Sequence, residues 1–210
     1  MKALILGIGG QDGSYLADIL LDKGYEVHGM VRRSSTGNLR NIEGILNRVS
    51  LHKGDLADPL SVHRIIDAVR PRVIYNEADQ DSVGWSNLVL GYSMDITASA
   101  VGRLLESVRL IDSTIKVFQP CSAMMFGDAA TIGPTSPFGQ DENTPFHPQS
   151  PYGCAKVAAY HLARHYREQH GMFVSTAILY NHDSPRRSEE YLLHKICKSV
   201  VRIKRGDQTM

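Results

Sequence analysis

Short apolar runs alternate along this chain with stretches whose apolar positions recur every three or four residues. Ala3-Leu4-Ile5-Leu6-Gly7 is a continuous apolar run of strand length. Between Gly13 and Lys23, Leu16, Ile19 and Leu20 fall on one helical face, and Gly24 follows at the C-terminal position that glycine favours. A second strand is predicted over Glu26 to Val31, ending at Arg32-Arg33, and a third over Val49 to His52. Asp58-Pro59 reads as an N-cap followed by proline at the first helical position, opening a helix that carries Val62, Ile65, Ile66 and Val69. A fourth strand is predicted over Arg72 to Asn76. It is followed by a helix with Val101, Leu104, Leu105 and Val108, and a fifth strand over Ile115 to Gln119. Ser150-Pro151 starts another capped helix to about Gln169, Phe173 to Leu179 forms a sixth strand, and Glu190 to Ile203 a last helix.

Continuously apolar strands alternating with amphipathic helices predict a parallel sheet covered on both faces. The fold class is α/β, a doubly wound Rossmann-like sheet. Residues 1–180 form its dinucleotide-binding domain, and 181–210 only the beginning of a smaller substrate domain. One segment breaks the rhythm. Gly127 to Gln149 holds four prolines and no periodicity, the mark of a long functional loop or a disordered one.

Composition narrows the class. The chain is 42% hydrophobic and 21% charged over 210 residues, globular rather than disordered. Lys+Arg (23) nearly cancels Asp+Glu (22), so there is no global basic field for a nucleic acid or an anionic membrane. No apolar run approaches the roughly 20 residues of a membrane helix, and the N-terminus lacks a signal-peptide pattern. Cys121, Cys154 and Cys197 lie far apart, without the spacing of a disulfide framework or a zinc knuckle. The expectation is a cytoplasmic protein with no metal site, no nucleic-acid partner and no membrane partner.

The turn after the first strand carries candidate chemistry. Gly7, Gly10 and Gly13 are spaced G-x-x-G-x-x-G within Gly7-Ile8-Gly9-Gly10-Gln11-Asp12-Gly13. Glycine is needed where backbone turns tightly, approaches a pyrophosphate and packs helix on strand, and the helix N-terminus then offers free N–H groups. The bland alternative is a glycine-rich turn without ligand. At the end of the second strand, where an NAD enzyme usually carries a carboxylate, stand Arg32-Arg33-Ser34-Ser35. Guanidiniums and hydroxyls suit a 2′-phosphate, so NADP is the expected cofactor ahead of NAD. A solvated basic turn is the alternative.

Tyr152 and Lys156 are four apart on a helix, hence on one face. An ammonium lowers the pKa of a nearby phenol from about 10, and such a tyrosine can take a proton from a sugar hydroxyl while hydride departs. Ser122 sits just past the fifth strand, where doubly wound folds bind ligands, and offers a hydroxyl to the reacting oxygen or merely caps the strand end. The catalytic candidates are Ser122, Tyr152 and Lys156.

These residues, with Gly10-Gln11-Asp12-Gly13-Ser14-Tyr15-Leu16, Val27-His28-Gly29, Ser150-Pro151-Tyr152-Gly153 and Asn181-His182-Asp183-Ser184-Pro185-Arg186-Arg187, carry a resemblance. Over nearly its whole length the chain resembles the extended short-chain dehydrogenase/reductase superfamily and, within it, the GDP-mannose 4,6-dehydratases. The resemblance implies that Gly7, Ile8, Gly9, Gly10, Gln11, Asp12 and Gly13 hold the pyrophosphate. It implies that Arg32, Arg33, Ser34 and Ser35 hold the 2′-phosphate, and that Asp55 and Leu56 flank the adenine. Glu77, Ala78, Asp79, Gln80, Asp81 and Tyr92 would line the dinucleotide's path, with His182 and Arg187 completing it. Asn181 and Lys195, with Ser122, would face a nucleotide-sugar of the GDP-mannose type. It further implies a homo-oligomer, dimer or tetramer, in which Arg33 serves a neighbour. Members run on for roughly half as long again, which makes this chain a fragment or a shortened relative.

Two departures stand out. Met124 occupies the place of the family's catalytic glutamate, and a thioether carries no titratable proton. Asn76-Glu77-Ala78-Asp79-Gln80-Asp81 is more acidic than the family norm. The implied activity is hydride transfer at C4 of the hexose in a dehydratase (lyase). The alternatives are a 4-epimerase, a 4-ketoreductase or a non-catalytic cofactor-binding relative. Elimination would need a replacement acid/base, with Asp81, Asp128 and Glu142 as candidates.

Other features read as structural. His161 and His165 lack a third ligand and an acidic partner. Trp85 is expected to cover the core rather than stack on a sugar, and Cys154 to be a small buried side chain. The last helix, with Lys195, Lys198, Arg202, Lys204 and Arg205, reads as a solvated face partly meeting a diphosphate.

Overall fold

A computed structural model describes residues 1–34, 39–127 and 139–207. Along the chain the elements are β1 (Lys2–Leu6), α1 (Gln11–Asp22), β2 (Glu26–Val31), β3 (Val49–Lys53), α2 (Pro59–Val69) and β4 (Val73–Asn76). There follow α3 (Val83–Ser86), α4 (Leu90–Met94), α5 (Ala100–Asp112), β5 (Lys116–Ser122), α6 (Pro151–His170), β6 (Val174–Leu179) and α7 (Leu192–Arg205). All strand pairs are parallel, in the order β3-β2-β1-β4-β5-β6. The order reverses between β1 and β4, the point at which such sheets bind ligands beyond their carboxyl ends.

Period-two alternation divides β1 between two cores. Leu4 and Leu6 pack with Val62, Ile65, Ile66 and Val69 of α2 and with Val101, Leu104, Leu105 and Val108 of α5. Ala3 and Ile5 face the other side, against Ala17 and Leu20 of α1. The face of α1 that meets the sheet is Gly13, Ala17 and Leu20, whereas Ile19 is half exposed. Small residues let this helix lie close to the strands, and that outweighs the larger apolar side chain.

The capping signals act as expected. The Asp58 carboxylate accepts from the Leu60 amide and the Ser150 hydroxyl from the Gly153 amide, each followed by proline. Gly24, at φ +75°, closes α1 with its amide on the Leu21 carbonyl while the Tyr25 amide reaches Leu20.

Three features depart from the sequence reading. A π-turn, Asp95–Ser99, joins α4 to α5, so helix begins well before Val101. The fifth strand runs on to Ser122 instead of ending at Gln119. Cys154 is exposed, because it projects from α6 between Tyr152 and Lys156 on the side away from the sheet. In α7 no residue is buried, including Leu192 and Val200. His161 meets the rings of Phe146 and Tyr160 edge-on, and His165 those of Tyr166 and His170. No helix among the described residues is long and apolar enough to cross a membrane.

Candidate active site

A cleft of about 1450 Å³ runs along the carboxyl ends of the strands. It exceeds the roughly 300–1,000 Å³ usual for small ligands, which suits an extended one. One end is built by the glycine turn. Gly7 has φ +83°, and a Cβ there would lie 2.7 Å from the Glu77 carbonyl oxygen. A Cβ on Gly13 would lie 2.4 Å from the Gly7 carbonyl. Only glycine allows β1, the end of β4 and the start of α1 to come this close. The N-cap, Gly10, has no capping side chain, so the first-turn amides of α1 are left for an anion. These features fit a dinucleotide diphosphate.

Gly7, Gly9, Gly10, Gln11 and Asp12 line the cleft, as do Arg32, Asp55 and Leu56 at the β2 side. Ile8 and Gly13 do not. The Ile8 side chain is fully buried against Gly29, and Gly13 serves the packing of α1. Arg32 donates to the Tyr92 hydroxyl at 2.8 Å, and both residues line the cleft. Arg33 and Ser34 are exposed and stand outside it. Ser35 lies outside the described residues, as does Asp128.

The other end gathers the catalytic candidates. A Cβ on Gly153 would lie 2.6 Å from the Met124 carbonyl, so α6 begins directly against the turn that follows β5. That approach brings Tyr152 beside Ser122. The Ser122 hydroxyl accepts from the Met124 amide at 3.1 Å, and it lies close enough to Tyr152 to favour its phenolate. The serine is therefore both strand-end cap and active-site hydroxyl. Lys156 is almost wholly buried, its ammonium 5.6 Å from the centre of the Tyr152 ring. It donates to the Pro120 carbonyl at 2.9 Å and pairs with Asp79 at 2.5 Å.

The phenol of Tyr152 is held above its ordinary range. Burial is the largest cause. Lys156 and Ser122 pull it down, but Asp79 and Asp81 push it up. The expected lowering by the ammonium is thus present but outweighed. Burial also works against the Lys156 ammonium, yet Asp79 more than restores it. Burial and the nearby Asp12 push Glu77 up to about 7.

Glu77, Ala78, Asp79, Gln80 and Asp81 form one continuous wall. Gln80 is buried and its Oε1 has no partner among the described residues, leaving an acceptor for a ligand hydroxyl or amide. Asn181, His182, Arg187 and Lys195 close the cleft from the segment after β6. This segment is clasped to α1. His182 Nε2 lies 2.9 Å from Asp12, Ser184 donates to Gln11 at 2.8 Å, and Arg186 pairs with Asp18 at 2.7 Å. Beside it, a smaller hollow of about 270 Å³ is lined by Glu189, Lys195, Lys198, Ser199 and Arg202.

Several lining residues carried no signal of their own. Trp85 is half exposed, lies in α3 with its ring 5.9 Å from that of Tyr92, and lines the cleft instead of covering the core. Tyr191 donates to Asp81 at 2.5 Å and lies under Arg187, whose guanidinium carbon is 3.6 Å from its ring centre. Arg187 pairs with Asp81 at 3.3 Å. Of the replacement acids, Asp81 lines the cleft, and Glu142 is exposed and outside it. Met124 lines the cleft and is 39% exposed, so this position presents a thioether and no titratable proton to a ligand.

The family model described as GDP-mannose 4,6 dehydratase matches residues 4–210. "GDP-mannose 4,6 dehydratase 2" of Arabidopsis thaliana is 46% identical over 219 residues, covering 99% of this chain and 57% of that protein. The "GDP-mannose 4,6 dehydratase" of Homo sapiens is 42% identical over 215 residues, covering 97% and 56%. The chain thus spans little more than half the length of these relatives. Among solved structures, UDP-glucose 4-epimerase of Thermotoga maritima with UDP-glucose superposes with a TM-score of 0.85 at 22% identity, over 100% of this chain and 65% of that one. The dTDP-glucose 4,6-dehydratase of Streptomyces venezuelae with NAD bound gives 0.82 at 22% identity, over 98% and 63%. At that identity the likeness is one of fold.

Proposed function

Since the chain belongs to the GDP-mannose 4,6-dehydratase family, we propose that it acts in NADP-dependent modification of a nucleotide sugar, GDP-mannose, at C4 of the hexose. One observation carries this reading. Ser122, Tyr152 and Lys156 converge at the end of β5 in the same cleft whose far end is the glycine turn. In this reading residues 1–180 hold the dinucleotide, and 181–210 begin the sugar-nucleotide side. Arg32 supports NADP over NAD, because a guanidinium rather than a carboxylate follows β2. The basic hollow at Lys195, Lys198 and Arg202 suits the diphosphate of the sugar nucleotide. In this reading the protein is a cytoplasmic homo-oligomer in which Arg33, exposed and outside the cleft, meets a second copy.

A bound nicotinamide dinucleotide supplies the hydride acceptor and donor. The protein's own residues manage the proton and the geometry. Ser122 hydrogen-bonds the oxygen at C4 and orients it. Tyr152 exchanges the proton of that oxygen. Lys156 positions Tyr152 and contributes the local positive charge. Removal of water across C5 and C6 calls for a further acid/base, and Asp81, held by Tyr191 and Arg187, is the replacement candidate that lines the cleft and acts on Tyr152.

Met124 favours a second reading. Without a titratable group there, the intact hydride half suffices for 4-epimerisation or 4-ketoreduction. Incubation with GDP-mannose and related sugar nucleotides, read by mass spectrometry, separates the two. Loss of 18 Da, the mass of one water, identifies dehydration. An isomer of unchanged mass identifies epimerisation, and gain of two hydrogens by a 4-keto sugar with NADPH identifies ketoreduction. No turnover across the panel overturns the enzymatic reading in favour of a cofactor-binding protein.

A further inference from the structure

Lys156 stands on α6, while Asp79 lies 77 residues earlier, in the loop that leaves β4. Their charged groups are 2.5 Å apart, and the side chains are 4% and 14% exposed. Asp79 is not a loose partner. Its Oδ1 accepts from the Thr97 hydroxyl at 2.5 Å and from the Gln80 amide at 2.8 Å. Thr97 is supplied by the π-turn at Asp95–Ser99, an insertion that shifts the helix surface locally. On the other side, the Lys156 ammonium also donates to the Pro120 carbonyl at 2.9 Å. Two of its three hydrogens are therefore committed, one to a full negative charge.

This arrangement changes what Tyr152 experiences. An isolated buried ammonium near the ring would stabilise the phenolate. An ammonium paired at 2.5 Å with a carboxylate is, from a few ångströms away, a dipole of little net charge. The remaining groups around Tyr152 do not restore the lost positive charge. Asp81 follows Asp79 on the same loop and engages a further cation at this end, Arg187, while Tyr191 approaches from the segment before α7, and Cys121 and Ser122 come from β5. Glu77, on the same wall, adds a further carboxyl near Lys156.

We propose that Asp79 is a positioning residue that locks Lys156 against β5 and cancels its charge, so that Tyr152 holds its proton more tightly than it would beside an unpaired ammonium. This rests on the reading of Tyr152 as the proton-transfer group.

The test reads the proton on Tyr152 directly in the whole chain, without substrate or cofactor. The protein is labelled with [13Cζ]tyrosine, the Tyr152 signal is assigned by its absence in Tyr152→Phe, and its shift is followed against pH. In the parent, Tyr152 stays a phenol beyond the ordinary phenol pKa of about 10. Asp79→Asn lowers the midpoint by about one pH unit or more, a tenfold rise in phenolate at a given pH below it. Asp79→Asn/Lys156→Met, which exchanges a neutral pair for a neutral pair and buries no lone charge, returns the midpoint to within about half a unit of the parent. An unmoved midpoint in Asp79→Asn overturns the proposal. If that variant does not fold, a midpoint at least about one unit above the parent in the double variant overturns it equally. Absence of turnover with every sugar nucleotide would sink the proposed function and leave this titration readable.

Discussion

His182, just after β6, places its Nε2 2.9 Å from the Asp12 carboxylate at the start of α1, 170 residues earlier in the chain. Its Nδ1 faces the Tyr180 carbonyl at 2.8 Å. Both ring nitrogens therefore act as donors, which only the imidazolium allows. The Tyr180 carbonyl and then Asp12 raise its pKa above 6.5. A raised histidine adds stability that is complete below about 6.5, the unfolded value, and is lost as pH rises through the folded value. Both side chains are nearly half exposed, so the contribution is below about 1 kcal/mol. The protection of residues 181–187 from hydrogen exchange, taken relative to the intrinsic rate at each pH, is expected to fall above that window, and His182→Gln to remove the step. Protection that stays constant across the window in the parent would contradict the pairing.

Glu77 gives a dependence of the same sign, with burial as its cause. Burial, with Asp12 beside it, raises its carboxyl to about 7 from an ordinary 4.5, against the opposing pull of Lys156 and His182. The folded chain keeps this proton where the unfolded chain has lost it. Stability therefore falls as pH climbs from 4.5 to 7 and stays lower above. At about 1.4 kcal/mol per unit, the loss over this span is of order 3–4 kcal/mol. Glu77→Gln is expected to narrow the difference in Tm between pH 5 and pH 8 and to tighten dinucleotide binding at pH 8, since an anion beside the diphosphate is removed. The same Tm difference in both proteins would show that Glu77 is not held in this way.

The glycines of the first turn differ from Gly24 in what a methyl group would meet. At Gly7 and Gly13 a Cβ would lie 2.7 Å and 2.4 Å from carbonyl oxygens, whereas around Gly24 nothing stands within 4 Å. Gly24→Ala is expected to cost only the left-handed strain, about 1–2 kcal/mol, and to leave dinucleotide affinity intact. Gly7→Ala and Gly13→Ala are expected to cost more and to abolish binding in a fluorescence titration with NADPH. Equal affinities across the three variants would remove the glycine turn from the cofactor site.

Arg32 decides between the two dinucleotides in the proposed reading. A charged hydrogen bond is worth about 1.5–3 kcal/mol. Arg32→Ala is thus expected to weaken NADPH binding by roughly 10- to 100-fold, at about 1.4 kcal/mol per tenfold, while NADH binding stays within about twofold. Equal weakening of both would assign Arg32 to the Tyr92 contact at 2.8 Å alone.

What the sequence determined by itself were the features that act over a few residues. The apolar faces of α2 and α5, the caps Asp58 and Ser150, the closing Gly24 and the glycine turn each arise from neighbouring positions on one strand, helix or turn. Periodicity and capping chemistry report such local physics directly. Even the pairing of Tyr152 with Lys156 was legible, because four residues of helix place them on one face. The tertiary structure alone decided what surrounds them. A π-turn brings Thr97 to Asp79, β4 and α6 bring Asp79 to Lys156, and Gly153 lets α6 approach the turn at Met124 closely enough to join Tyr152 with Ser122. These contacts join positions tens of residues apart, so nothing in the local pattern encodes them. Yet they decide whether the phenol at the centre of the site holds its proton, because a buried charge responds to the nearest opposite charge in space, whatever its distance along the chain.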